Sequence, residues 1–292
     1  MTIKATNDLM FKKLLASEEN KDILQGFIKD FCGLDVPCDE IHIETPYSID
    51  LYAKSLDSEE STLRSIERDI AVELRGLNIM VEVQVHYDKH FIPRTLHYAF
   101  KRFNSNYRVP GKMEEKRDGK SESYSSLMPV YSINIVEEKL FHKDEDVMRT
   151  FTLYDKEHKS GFEREWLKVS YVELEKANLS NENLKHWVEF FRSGKTLDDA
   201  PRYLKKAEEV VAFANLSKEE RRMLMAMEKN IAIQESELSS ALREGIKQGL
   251  QQGKEEGVDA LAELIMQGVP LDEAVERAKE TVETVEPSED TD

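Results

Sequence analysis

Residues 81–88, Val81-Glu82-Val83-Gln84-Val85-His86-Tyr87-Asp88, set an apolar side chain at every odd position and a polar one at every even position. That is the period of a β-strand with two unlike faces. Upstream, Ile66-Glu67-Arg68-Asp69-Ile70-Ala71-Val72-Glu73-Leu74 alternates in the same way, and Arg75-Gly76-Leu77-Asn78 between them carries turn residues. The runs 66–74 and 79–87 therefore predict a β-hairpin. With the turn centred between Gly76 and Leu77, paired positions sum to 153, which sets Asp69 opposite Gln84 and Ala71 opposite Glu82. Asp69, Glu82 and Gln84 then share one face. Diagonal cross-strand neighbours lie about 7–8 Å apart, a gap that two carboxylates can close around one divalent cation. A slip of one residue would bury the carboxylates with the valines. A polar hairpin face is also commonly just solvated, so the metal reading needs support from the rest of the chain.

Composition bounds the class. The 292 residues are 40% hydrophobic, enough for one large domain or two. No run has the length of an apolar membrane span, and Met1-Thr2-Ile3-Lys4-Ala5-Thr6-Asn7-Asp8 has no signal-peptide apolar stretch, so a cytoplasmic protein with no membrane partner is expected. Cys32 and Cys38 have no matching His cluster and support neither a zinc site nor a disulfide framework. The net charge of −17 is unevenly spread: from Leu216 onward nine Lys and Arg face 19 Asp and Glu, a net of −10. By contrast, Val85 to Lys120 holds nine basic and four acidic residues, with His86, His90 and His97 besides. A basic segment directly after an acidic strand suits a site that holds metal with carboxylates and phosphate with Lys and Arg. A merely solvated basic loop is an equally ordinary reading of the charge.

Along the chain, residues 6–31 read as a helix, capped by Thr6 or Asn7 and ended by Gly33. Residues 41–44 form a short strand, 48–64 a polar excursion, and the hairpin follows. A second helix covers 92–107, with Leu96, Phe100 and Phe103 at helical spacing; 108–123 is basic and polar; 128–136 is an apolar strand. The order is α-β-β-β-α-β, and the crossover from strand 79–87 to strand 128–136 is long enough for a parallel pair, so a mixed sheet is expected. Residues 166–175 can add a strand. From Asn181 the pattern turns helical, over 181–193, 203–214 and 217–267, and 284–292 reads as a frayed acidic end. This divides the chain into 1–178 and a mostly helical region, 179–292. Within the last helix Gly245, Gly249, Gly253 and Gly257 recur every four residues. Each costs about 1 kcal/mol against Ala in a helix, which leaves a weakly helical low-complexity tail or a self-association surface supporting a homodimer.

These residues carry a family resemblance. Asn7-Asp8-Leu9-Met10-Phe11-Lys12, Arg68-Asp69-Ile70, Val81-Glu82-Val83-Gln84, the Arg94 to Tyr98 helix, Met128-Pro129-Val130-Tyr131-Ser132-Ile133 and the glycine tail stand in an order and spacing that resembles the recombination-promoting nuclease and transposase family of bacteria. That family is a branch of the PD-(D/E)XK nuclease superfamily. The resemblance implies an α/β restriction-endonuclease-like core and hydrolysis of DNA phosphodiesters with Mg2+, for which Mn2+ can substitute. It implies Asp69 and Glu82 as metal ligands with the Val83 carbonyl as a third, and Asp8 as an additional acidic residue of the first helix. Two positions depart from the superfamily pattern. Arg68 stands in place of Pro, which shapes backbone only. Gln84 stands in place of Lys, although this branch commonly carries Gln there.

The mechanism has a physical basis of its own. Phosphodiester hydrolysis must neutralise charge on a pentavalent transition state and supply hydroxide near pH 7, which a carboxylate-held Mg2+ does in part. Gln84 can hydrogen-bond the water but cannot take its proton; a base is absent, or is His86, Asp88 or Lys101. On this reading Gln84→Lys should keep or raise cleavage. Lys12, Arg94 and Lys101 are candidate DNA phosphate contacts. Tyr98 is a DNA-groove residue or, evenly, a core aromatic. The rival class is a catalytically inactive nuclease fold that binds nucleic acid or a protein partner.

Overall fold

The computed structural model describes residues 4–44, 46–50, 70–74, 76–84, 89–105, 107, 127–179 and 181–283. Its centre is the predicted hairpin, β2 (Ile70–Leu74) with β3 (Leu77–Gln84), paired antiparallel. The register differs from the expectation. Ile70 pairs with Val81 and Leu74 with Leu77, so paired positions sum to 151, and Ala71 faces Met80 in place of Glu82. The cause is a tighter turn: Gly76 takes a left-handed φ of 71°, a conformation that glycine adopts without a Cβ penalty, and the strands close two residues sooner. A shift of two preserves side-chain parity, so the face assignment of Glu82 and Gln84 survives the error.

The six-stranded sheet runs β1-β2-β3-β4-β8-β5, with β1 (His42–Ile43), β4 (Val130–Val136), β5 (Met148–Thr152) and β8 (Leu167–Glu173). β3, β4 and β8 are parallel neighbours; β1 and β2 join antiparallel on one side and β5 on the other. The mixed sheet and α/β class are as expected. β5, at the edge beyond β8, and the hairpin of β6 (Tyr154–Asp155) with β7 (Ser160–Gly161) were not foreseen. Residues 166–175 do supply a strand, β8.

Helix α3 (Phe91–Ser105) is the β3-to-β4 crossover, and it lies on the sheet. Phe91 and Ala99, with the half-buried Ile92, Leu96, Tyr98 and Phe103, pack on Met80, Val130, Leu167, Val169 and Tyr171. The other sheet face is buried too: Ile79, Val81, Val83, Ile133, Ile135 and Val172 are inaccessible or nearly so. Strands covered on both sides read as nearly continuous apolar runs. The exceptions in β4, Ser132 and Asn134, are satisfied internally, since Asn134 Nδ2 donates to Ser132 Oγ (3.1 Å) and to the Ser170 carbonyl (3.0 Å).

The single helix expected over 6–31 is two, α1 (Asp8–Leu15) and α2 (Lys21–Cys32). The chain turns at Ser17–Asn20, where Asn20 Nδ2 donates to the Lys13 carbonyl (3.0 Å), a local bond that competes with helix continuation. α4 (Lys185–Ser193) and α5 (Arg202–Val211) were assigned from sequence to the C-terminal region; here they pack with α1 and α2. Trp187 Nε1 (2.8 Å) and the Tyr203 hydroxyl (2.5 Å) both donate to Asp30, and a Cβ on Gly26 would fall 2.5 Å from the Tyr203 ring, so only glycine fits there. Burial pushes the Cys32 thiol up to about 12, which suits an inert packing thiol.

By internal packing the chain divides into Met1–Met223 and Leu224–Asp292. Helix α6 (Lys218–Met266) begins within the first unit. Its start is a capping box: Glu220 N donates to Ser217 Oγ (3.1 Å) and Ser217 N to Glu220 Oε2 (2.8 Å). The same carboxylate accepts from Lys13 Nζ (2.8 Å) and the Tyr47 hydroxyl (3.0 Å). The second unit holds the rest of α6 and α7 (Leu271–Glu283), joined by a turn at Gly268, whose φ is 81°. Among the described residues no helix is long and apolar enough to cross a membrane.

Candidate active site

Glu82 and Gln84 stand on the β3 face that α3 covers, beside Met80 and Asn78 of the same strand and above Asn134 and Val136 of β4. The face is polar at this end but not open. Glu82 is 6% and Gln84 8% exposed, because the crossover brings α3 over the strand. The solvated hairpin face that alternation suggested is thus a buried one.

Burying a carboxylate demands a partner, and α3 supplies it. Arg94, in the first turns of the helix, donates from Nη2 to Glu82 Oε1 (3.1 Å) and to Gln84 Oε1 (2.7 Å). Arginine has donors only, so the contact fixes the Gln84 amide with its oxygen toward Arg94 and leaves its nitrogen as the donor end. The Arg94 guanidinium carbon lies 5.3 Å from the Phe91 ring centroid, a cation–π distance. Next to this group, Tyr171 of β8 shares a 2.7 Å hydrogen bond with Thr95. Burial raises the Tyr171 phenol above its ordinary value; the Thr95 bond opposes this, and the negative field of Glu82 adds to it. Sequence reading missed Phe91, Thr95 and Tyr171 as neighbours of the site, and no short-range pattern marks them.

The segment leading into α1 is tied to the same strand end. Glu137, directly after β4, donates its backbone N–H to the Gln84 carbonyl (3.2 Å) and accepts from Thr6 Oγ1 (2.5 Å) and Lys4 Nζ (2.7 Å). Asn7 caps α1 through Leu9 N (3.1 Å) and Met10 N (3.4 Å), and Asp8 begins the helix. Asp8 and Lys12 form an i,i+4 ion pair at 3.9 Å, both largely buried. Val83 turns its side chain to the opposite, fully covered face, so any ligand role falls to its carbonyl. Tyr98 packs half-buried against the sheet, which favours the core reading. Lys101 is exposed on α3, two turns beyond Arg94. Asp69, His86 and Asp88 lie outside the described residues.

At the other end of α3, Arg102 donates to Glu44 (2.8 Å from Nη1) and to Asn78 Oδ1 (2.8 Å), which fastens the helix across β1 and β3. The helix that carries Arg94 is therefore fixed at both ends.

Among the described residues no three His, Cys, Asp or Glu side chains converge as a metal cluster. Of the expected ligand set only Glu82 and the Val83 backbone are described. What is present fits a hard cation: a carboxylate and an amide oxygen are the donors such ions take, and a cationic nitrogen already bridges them.

Compared with models of protein families, residues 5–241 match that of the PD-(D/E)XK nuclease family transposases. Neither the curated proteins nor the solved structures returned a match.

Proposed function

Since this chain belongs to the PD-(D/E)XK nuclease family transposases, we propose that it is a Mg2+-dependent DNA endonuclease that hydrolyses phosphodiester bonds in the service of recombination or mobile elements. The observation that carries the reading is the pair of oxygens on Glu82 and Gln84, both nearly inaccessible, turned toward one cationic nitrogen. Mg2+, or Mn2+ in its place, would be held by Asp69, Glu82 and the Val83 carbonyl. Asp69 rests on sequence alone, the residue before Ile70, where β2 begins. A divalent cation there supplies positive charge against the pentavalent transition state and hydroxide near neutral pH.

The chain's own residues do the remainder. Glu82 offers a carboxylate on the strand face that α3 covers. Gln84 orients by hydrogen bonding and takes no proton. Arg94, with a planar fork suited to phosphate, binds the DNA backbone, and Lys12 and Lys101 add charge. Asp8 supports the site from α1, whose lead-in is tied to β3 through Glu137. The catalytic core lies in residues 1–178, buttressed by α4 and α5. A DNA substrate places the protein in the bacterial cytoplasm.

The second unit is assigned to self-association. Leu238, Leu242, Ile246 and Leu250 of α6 are exposed at four-residue spacing, and a Cβ on Gly245 or Gly249 would meet nothing within 4 Å. That row suits a homodimer through the helical region, which light scattering of the full chain and of a chain ending at Met227 would compare. The rival, an inactive nuclease fold, draws on Arg94 neutralising Glu82. One assay separates the two: purified protein is incubated with supercoiled plasmid and Mg2+, with and without chelator. Nicking or linearisation that chelator abolishes is expected; no cleavage with either Mg2+ or Mn2+ would overturn the enzyme reading.

A further inference from the structure

Two oxygens suited to a metal are already bonded to a cation of the chain itself. Arg94 Nη2 lies 3.1 Å from Glu82 Oε1 and 2.7 Å from Gln84 Oε1. While these bonds last, the guanidinium offsets the charge of Glu82. Arg94 reaches solvent in part. Its side chain is 27% exposed, its guanidinium rests over the Phe91 ring, and a long flexible stem joins it to α3. Metal and guanidinium compete for the same oxygens.

We infer that Arg94 is a displaceable counter-ion that keeps the site closed to metal until DNA arrives. A DNA phosphate offers the guanidinium a bidentate partner in place of the single nitrogen it now shares between Glu82 and Gln84, and the oxygens it leaves take the divalent cation. Stripping Glu82 of the Arg94 cation in so buried a place is strongly unfavourable unless another cation replaces it. Each arrival therefore favours the other, and metal and DNA bind with positive, reciprocal coupling. The device would hold the enzyme idle in metal-rich, DNA-free surroundings. It rests on the assignment of Glu82 as a metal ligand, and Arg94 acts in it as a positioning residue.

The test is calorimetric titration of Ca2+, an oxygen-seeking cation of looser geometry than Mg2+, into the full chain with and without a short duplex DNA, the DNA-only signal being subtracted. Wild type, Arg94→Gln, Arg94→Lys and Glu82→Gln are compared. Without DNA, Arg94→Gln should bind about tenfold more tightly than wild type, equivalent to about 1.4 kcal/mol, and Arg94→Lys should stay near wild type. DNA should tighten wild type by about the same factor and leave Arg94→Gln within about twofold. A merely structural role would weaken metal binding in Arg94→Gln, the opposite sign. Metal affinity unchanged by Arg94→Gln, or a wild-type titration indifferent to DNA, overturns the gate; the second measurement decides even if the Gln variant fails to fold. Glu82→Gln distinguishes the failures: if it binds Ca2+ as wild type does, the ligand assignment itself falls, whereas loss of binding there with no Arg94 effect removes the gate alone.

Discussion

Gln84→Lys restores the residue usual in the superfamily, and on sequence grounds it should keep or raise cleavage. The structure reverses the expectation, because the amide oxygen accepts from Arg94 Nη2 at 2.7 Å. A Lys at 84 removes that acceptor and sets an ammonium against the guanidinium. A hydrogen bond to a charged group contributes about 1.5–3 kcal/mol, and two like charges about 4 Å apart at an effective dielectric near 20 repel by about 4 kcal/mol. Arg94 can swing toward water, since its side chain is 27% exposed, so the net loss should be about 2–3 kcal/mol. In a unit of this size each kcal/mol moves Tm by about 2–4 °C, a fall of roughly 5–10 °C. Thermal unfolding of wild type, Gln84→Lys, Arg94→Gln and the double variant forms a double-mutant cycle. In the double, Lys at 84 can pair with Glu82 two residues away on the same face, so it should be more stable than the sum of the singles by about 1 kcal/mol or more. Cleavage should be low in Gln84→Lys. A Gln84→Lys protein that melts with wild type, or strict additivity, would refute the reasoning.

Asp69→Asn and Glu82→Gln should each abolish metal-dependent nicking at equal folded concentration by circular dichroism, and Asp8→Ala should lower it less; full activity in either isosteric variant would remove the metal assignment. The Glu220 carboxyl is desolvated, which raises its pKa, yet Lys13, the Ser217 N–H and the Tyr47 hydroxyl outweigh this and hold it below the ordinary value. Its contribution is thus present above the unfolded value near 4.3 and lost as pH falls through the folded one. Glu220→Gln should melt below wild type at pH 7, with a gap that shrinks only below the unfolded value near 4.3 and closes as pH falls through the lower folded one; a gap unchanged by acid would contradict the latch. A chain ending at Asn215 loses Leu216 and Glu220, both buried, and should be destabilised by roughly 3–5 kcal/mol. One ending at Met227 should fold and nick plasmid DNA, and equal stability of the two by urea unfolding would place no weight on the start of α6.

Much of the fold was legible because its signals are local. Alternation at 70–74 and 77–84, the Asn7 cap, Gly33 at the end of α2 with φ 71°, and the apolar run of β4 each lie within a few residues. Edge strand β5, Met-Arg-Thr-Phe-Thr, carries mixed polarity because only one of its sides meets β8, and it gave no clear pattern. The Ser217 to Glu220 capping box was readable as S-x-x-E, but its bonds to Lys13 and Tyr47 span some 200 and 170 residues and left no trace in spacing.

The candidate site divides along the same line. By itself the sequence determined that Glu82 and Gln84 share a strand face, since parity is fixed by the backbone and survives any shift of two. The register could not be read, because a period of two is blind to such a shift; the left-handed turn at Gly76 chose it. Nor could alternation tell a wet face from a covered one. That depended on where the β3-to-β4 crossover lays α3, and only this placement buries Glu82 and brings Arg94, twelve residues away along the chain, onto its carboxylate. Periodicity is a property of the chain, whereas burial and charge pairing belong to the surfaces that packing brings together.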